Sequence, residues 1–133
     1  MRDLERERAA HALAKVKALL DRPEEFRKSY RAYVDRFGGA VVMNGLGQAL
    51  ATELAAAGPS PTTDGDRAHK ALADNVCEWL SREGGVYAGE PDAVGALMEG
   101  DQALYLRAQA EVLAWLTWHK KFCHAYLPRG GDE

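Results

Sequence analysis

Apolar residues recur every three or four positions along almost the whole chain, and that period limits the fold more than any other feature. Side chains three and four apart share one face of a helix, whereas a half-buried strand needs strict alternation. Ala9, Leu13, Val16 and Leu20 form a first stripe, Phe26, Tyr30, Tyr33, Val34 and Phe37 a second, and Leu46, Leu50 and Leu54 a third. Leu72, Val76, Trp79 and Leu80 form a fourth. Tyr105, Ala108, Val112, Trp115, Leu116, Phe122 and Cys123 mark the last and longest helix. A short helix fits before it, with Pro91 near its first turn and Val94, Leu97 and Met98 turned inward. AVVM at 40–43 is the nearest approach to a strand and is too short. The expectation is an all-α, single-domain bundle over residues 1–133, with five main helices plus one short helix and no internal repeat.

The punctuation fits that reading. Pro23 suits the first turn of a second helix, and Gly38-Gly39 is expected to break it. GPSPTTDG at 58–65 reads as a loose loop, taken as about 57–65. Gly84-Gly85 is expected to end the fourth helix, and Asp101 to cap the last. Pro128 and the glycines after it predict a disordered tail over about 128–133.

NGLGQALA at 44–51 raises the question of a phosphate loop. A dinucleotide fingerprint needs a preceding strand and Gly or Ala at its sixth position, which here is Leu50. A P-loop needs a Lys-Ser/Thr pair that is absent. The segment therefore reads as a helix start, with Asn44 as the cap, or as a bent helix kinked at its glycines. Two glycines within a helix cost about 1 kcal/mol each relative to alanine. Tight packing or a partner pressed against the backbone offsets that cost, which makes Asn44, Gly45 and Leu46 candidates for a subunit interface.

Composition excludes several classes. No apolar run approaches the length needed to cross a bilayer, and the N-terminal MRDLERERAAHALAK lacks the apolar region of a signal peptide. Cys77 and Cys123 are too few for a disulfide framework and suit a reducing, cytosolic setting. The net charge of −3 argues against a dedicated nucleic-acid binder. Its distribution is uneven, however. Arg22, Arg27, Lys28, Arg31 and Arg36 crowd residues 22–44, while residues 83–101 hold five acids and no base.

NGLGQALA, then a helix ending CEWL, then LYLRAQAEVLAWLTWHKKFCHAYL, together resemble the small α-helical subunit of the type III-B CRISPR effector, the Cmr complex. That family has a tyrosine-rich second helix, an Asn-Gly-Leu element and a final helix of the form Y-x-R-A-x-x-E-A-L-x-x-L-x-W-x-K-K-F. Here Tyr105, Arg107, Ala108, Glu111, Val112, Leu113, Leu116, Trp118, Lys120, Lys121 and Phe122 stand at those positions. Arg8-Ala9, Ala12 and Val16 also fit, so the resemblance runs from about residue 5 to residue 126. Two departures stand out. The family often has Leu-Pro and a basic residue before Asn-Gly, where this chain has FGGAVVM and no positive charge between Arg36 and Arg67. Cys123 replaces a smaller residue such as alanine.

The resemblance implies a non-catalytic subunit without a cofactor. Its partners would be the backbone and large subunits, neighbouring copies of itself, and guide and target RNA held through phosphates. Such copies stack along the filament and line the guide–target groove, while cleavage belongs to other subunits. The isolated chain is then expected to be a monomer, with no membrane contact.

On helical wheels, Arg27, Lys28 and Arg31 gather away from the second helix's apolar stripe. Arg8, His11 and Lys15 share one strip of the first helix, and Arg107 and Lys121 share one strip of the last, with His124 and Thr117 beside it. With Lys120, these cations are the candidate RNA contacts, reading phosphates without sequence preference. Charges on outer helix faces also serve solubility alone. Trp79 and Trp115 fall on apolar stripes and read as core, while Trp118 sits at a margin and is a fourth interface candidate. His119 and Cys123 are four apart and join Cys77 as conceivable zinc ligands, but a closed zinc site wants four ligands and no CxxC exists, so no metal is expected. No nucleophile, acid–base pair or other catalytic constellation is found. The alternative to an effector subunit is a free-standing helical adaptor or homodimer whose basic strips are merely solvated.

Overall fold

The computed structural model describes residues 3–130, and among them there are six helices and no strand. They are α1 (Leu4–Lys17), α2 (Glu24–Asn44), α3 (Leu46–Ala57), α4 (Asp64–Ser81), α5 (Ala93–Glu99) and α6 (Gln102–Tyr126). The all-α bundle of five main helices and one short one is therefore what forms. Four helices begin on an Asp or Thr side chain that accepts from the first turn: Asp3 from Arg6, Thr63 from Asp66, Asp92 from Gly95 and Asp101 from Leu104.

Several boundaries differ from expectation. Gly38-Gly39 does not break α2. Phe37 and Val41, fully buried on either side of the pair, hold the two turns to the core, and that burial outweighs the glycines' poor propensity. Asn44 does not cap α3. It closes α2, and Gly45 turns the chain with φ 91° and ψ 156°. The fourth helix stops at Ser81, before the glycine pair, where Arg82 is already extended. Met98 points outward and is 55% exposed, while Leu97 takes the inward position. Residues 58–63 connect α3 to α4. The tail is described only to residue 130, so residues 131–133 of the expected disordered segment lie outside the described residues.

α6 packs against α1 on one flank and α2 on the other, and α4 packs against α2 and α3. Beneath α6 Trp79, Trp115, Tyr30 and Phe26 are all buried. His119 is fully buried among them, and its hydrogen bonds account for both ring nitrogens. Its Nδ1 lies 3.0 Å from the Ala12 carbonyl, which can only accept, so Nδ1 carries the proton. Nε2 then accepts from the Tyr30 hydroxyl at 2.6 Å, and that hydroxyl accepts from Asn75 at 2.8 Å. Burial pushes the imidazole down to about 3, so it is neutral at any ordinary pH. A neutral, doubly bonded His119 is not a free ligand, and no group of His, Cys, Asp and Glu among the described residues could hold a metal.

Candidate nucleic-acid interface

The expected cations divide between two opposite flanks of α6. On the α1 flank, Arg8 grips Glu111 with two bonds, Nε at 3.0 Å and Nη2 at 2.8 Å, and also reaches Glu5 at 2.7 Å. The hydrogen bond from Arg8 holds the Glu111 carboxyl below its usual range, and the same bond raises the Arg8 guanidinium. Lys15 meets Glu78 of α4 at 2.5 Å. Both cations are neutralised by carboxylates from other helices. They fasten α1 to α6 and α4, and neither offers a free charge to a phosphate.

The α2 flank is different. Arg31 donates to the Leu127 carbonyl at 3.1 Å, and His124 lies 2.6 Å from Asp35. Gly38 and Gly39 sit beside Thr117 and Lys120. These pairings show that α2 and α6 run antiparallel, and they bring Arg31, Asp35, His124 and Lys120 to one seam, with Lys28 beside Gly130 at its end. Lys121, ten positions after Glu111, lies on the outward face of α6. Glu111 and Lys120 are nine positions apart on α6, which at about 100° per residue sets them on opposite sides of the helix. The seam and the Arg8–Lys15 strip therefore cannot form a single wall.

Within the seam the charges are unequally committed. Lys28 pairs with Glu24 at 3.2 Å and reaches Glu25 at 4.0 Å, both neighbours on its own helix and both largely exposed, in contacts that contribute little. The Nε of Arg27 donates to the Arg22 carbonyl at 2.9 Å. Lys120, Lys121 and Arg107 are exposed and make no ion pair among the described residues. Arg107 lies four positions before Glu111, so it stands on the α1 side of α6 and away from the seam. A cleft of about 480 Å³ opens between α2 and the chain's end, lined by Arg31, Ala32, Asp35, His124, Arg129 and Gly130. Arg129 is the cation that periodicity missed. It lies beyond the last helix, where no helical spacing could assign it a face.

The interface candidates fare unevenly. Leu46 is fully buried within the chain and has no surface for a second subunit, because it anchors α3 to the core. The glycines beside it are explained internally. The Gln109 side chain accepts from the Leu46 N–H at 2.9 Å, and the Tyr105 hydroxyl accepts from the Gly47 N–H at 2.8 Å. A Cβ on Gly45 would come within 3.0 Å of that hydroxyl, and one on Gly47 within 3.0 Å of the Met98 methyl. The close approach is real, but side chains of α5 and α6 make it, not a partner's backbone. Asn44 remains exposed at the corner. Trp118 is half-buried, stacks with Phe122 and donates to Glu5 at 2.9 Å.

The chain has known relatives. The family described as CRISPR-associated protein (Cas_Cmr5) matches residues 4–126. Among solved structures, the chain is similar to the X-ray crystal structure of a CRISPR-associated Cmr5 family protein from Thermus thermophilus, at 28% identity and a TM-score of 0.72, over 96% of this chain and 100% of that one. No curated protein matches.

Proposed function

The chain belongs to the CRISPR-associated Cmr5 family, and on that premise we propose that it is a non-catalytic small subunit of a Cmr effector that contacts RNA through the α2–α6 seam. The observation that carries the reading is that cations from two antiparallel helices and the chain's end line one seam and its cleft, where Lys120 makes no ion pair among the described residues. Lys28, Arg31, Lys120 and Arg129 form the core of this face, with Arg27 on its flank, while Lys121 and Arg107 lie on other faces of α6. Arg8 and Lys15 drop out of the phosphate-facing set because Glu111 and Glu78 neutralise them. Contacts of this kind recognise phosphate and not base, which suits a subunit that must accept any target. Assembly with backbone and large subunits and stacking of copies along the filament complete the proposal.

The test is RNA affinity against salt for the reconstituted effector. Charge reversal of Lys28, Arg31 and Lys120 should weaken target RNA binding and reduce the salt slope by about one for each phosphate that is no longer neutralised. Reversal of Arg8 and Lys15 should leave the slope unchanged. Equal slopes for wild type and seam variant would defeat the assignment. A wild-type chain that joins no effector and self-associates would favour a homodimeric adaptor instead.

A further inference from the structure

The cleft between α2 and the chain's end is lined by two arginines, Arg31 and Arg129, by one carboxylate, Asp35, and by one histidine, His124. His124 Nε2 lies 2.6 Å from Asp35 Oδ1. A carboxylate oxygen only accepts, so Nε2 carries a proton whether the ring is neutral or charged. That fixes the tautomer of the neutral ring and leaves a lone pair on Nδ1. Nδ1 makes no hydrogen bond among the described residues, and the His124 side chain is 44% exposed where it lines the cleft.

A phosphate oxygen is an acceptor. Against it a neutral His124 presents the Nδ1 lone pair, and Asp35 adds a negative charge. A protonated His124 presents an N–H instead and cancels the Asp35 charge. One proton therefore changes both the donor the cleft offers and the sign of its balance beside Arg31 and Arg129. The other groups around the ring make no such change. Arg31 and Lys28 on α2, Lys120 and Lys121 on α6 and Arg129 at the chain's end are strong bases by type. Burial pushes the thiol of Cys123, one residue before the histidine, up to about 12. Histidine is the one side-chain type in this group that gains its charge near neutral pH.

We infer that His124 is a further phosphate-binding residue of this cleft, donating from Nδ1 to an RNA phosphate once protonated, and that Asp35 is the residue that positions it. The inference rests on the RNA reading of the seam and adds a proton to it. Proton binding and phosphate binding favour each other reciprocally, so RNA affinity falls as pH rises. The test is target RNA affinity of the assembled effector at fixed salt, at about pH 6 and about pH 8. Wild type should bind about fivefold or more weakly at the higher pH. His124→Gln keeps a donor for Asp35 but cannot become charged, and should hold the weaker affinity at both. His124→Lys, charged throughout, should hold the tighter affinity at both. Asp35→Asn removes the repelling charge and frees the neutral ring to carry its proton on Nδ1. That variant should bind more tightly than wild type at the higher pH and change less between the two. A merely structural tie between α2 and α6 would move none of these profiles. A His124→Gln effector that keeps the wild-type pH dependence, or that binds as tightly as wild type at the lower pH, would overturn the inference. If charge reversal of Lys28, Arg31 and Lys120 leaves the salt slope unchanged, the RNA reading of the seam falls and this inference with it. If that reversal lowers the slope and His124→Gln keeps the wild-type profile, the role of His124 alone falls.

Discussion

At the scale of single residues, two buried polar arrangements set the molecule's sensitivities. Arg8 and Glu111 are both largely shielded, with side chains 15% and 17% exposed. Removing one strands the other, so Arg8→Ala should cost about 2 kcal/mol or more in urea denaturation while leaving RNA binding unchanged. The double variant Arg8→Ala/Glu111→Ala should cost less than the sum of the singles. His119 gives a pH signature. Its folded value of about 3 lies below the ordinary 6.5, so the unfolded chain binds the extra proton between them. The stability this contributes is complete above pH 6.5 and is lost as pH falls, at up to about 1.4 kcal/mol per unit. The Glu111 carboxyl, also held low, adds loss in the same direction below its ordinary 4.5. Denaturation midpoints measured from pH 7 down to about 4 should therefore fall steadily, and His119→Asn should flatten the upper part of that slope. Burial of Trp79 and Trp115 was legible from the stripes they occupy, whereas the partners of Arg8 and Lys15 were not. Glu111 and Glu78 lie 103 and 63 positions away, and helical spacing reports only neighbours on the same helix.

At the scale of elements, glycine separates local propensity from tertiary demand. Gly38→Ala and Gly39→Ala should each raise the stability of the isolated chain by about 0.5–1 kcal/mol, since the added methyl meets open space and improves the helix. Gly45→Ala should do the opposite. Its φ of 91° with ψ 156° is a region that essentially only glycine visits, at a cost of about 1–3 kcal/mol for other residues. Thermal melts of the three variants check both signs. The helices were legible because the apolar period is strong in every one, and Asp101 was legible as a cap because residue type and position agree. Local reading misled at Gly38-Gly39 because propensity is a weak prior beside the burial of Phe37 and Val41. It misled at Asn44 because the corner is capped from α6, by Gln109 and Tyr105, which no local window contains.

At the scale of the whole molecule, the bundle sorts its cations by flank. Arg8 and Lys15, toward α1, are tied to Glu111 and Glu78, whereas Lys120, toward α2, makes no ion pair among the described residues. Helical wheels relate residues only within one helix, and the relation between strips depends on which side of α6 each helix packs. Arg129 was invisible for a related reason, since its place depends on where the chain leaves α6 and not on any period. With seam cations as the proposed RNA contacts, the affinity of the assembled effector for target RNA should fall steeply with salt and be indifferent to sequence at this subunit. The most direct measurement is lysine footprinting of the assembled effector with and without target RNA. RNA should protect Lys28 and Lys120 and leave Lys15 unaffected. RNA-dependent protection of Lys15, with Lys28 and Lys120 equally reactive in both states, would contradict the assignment.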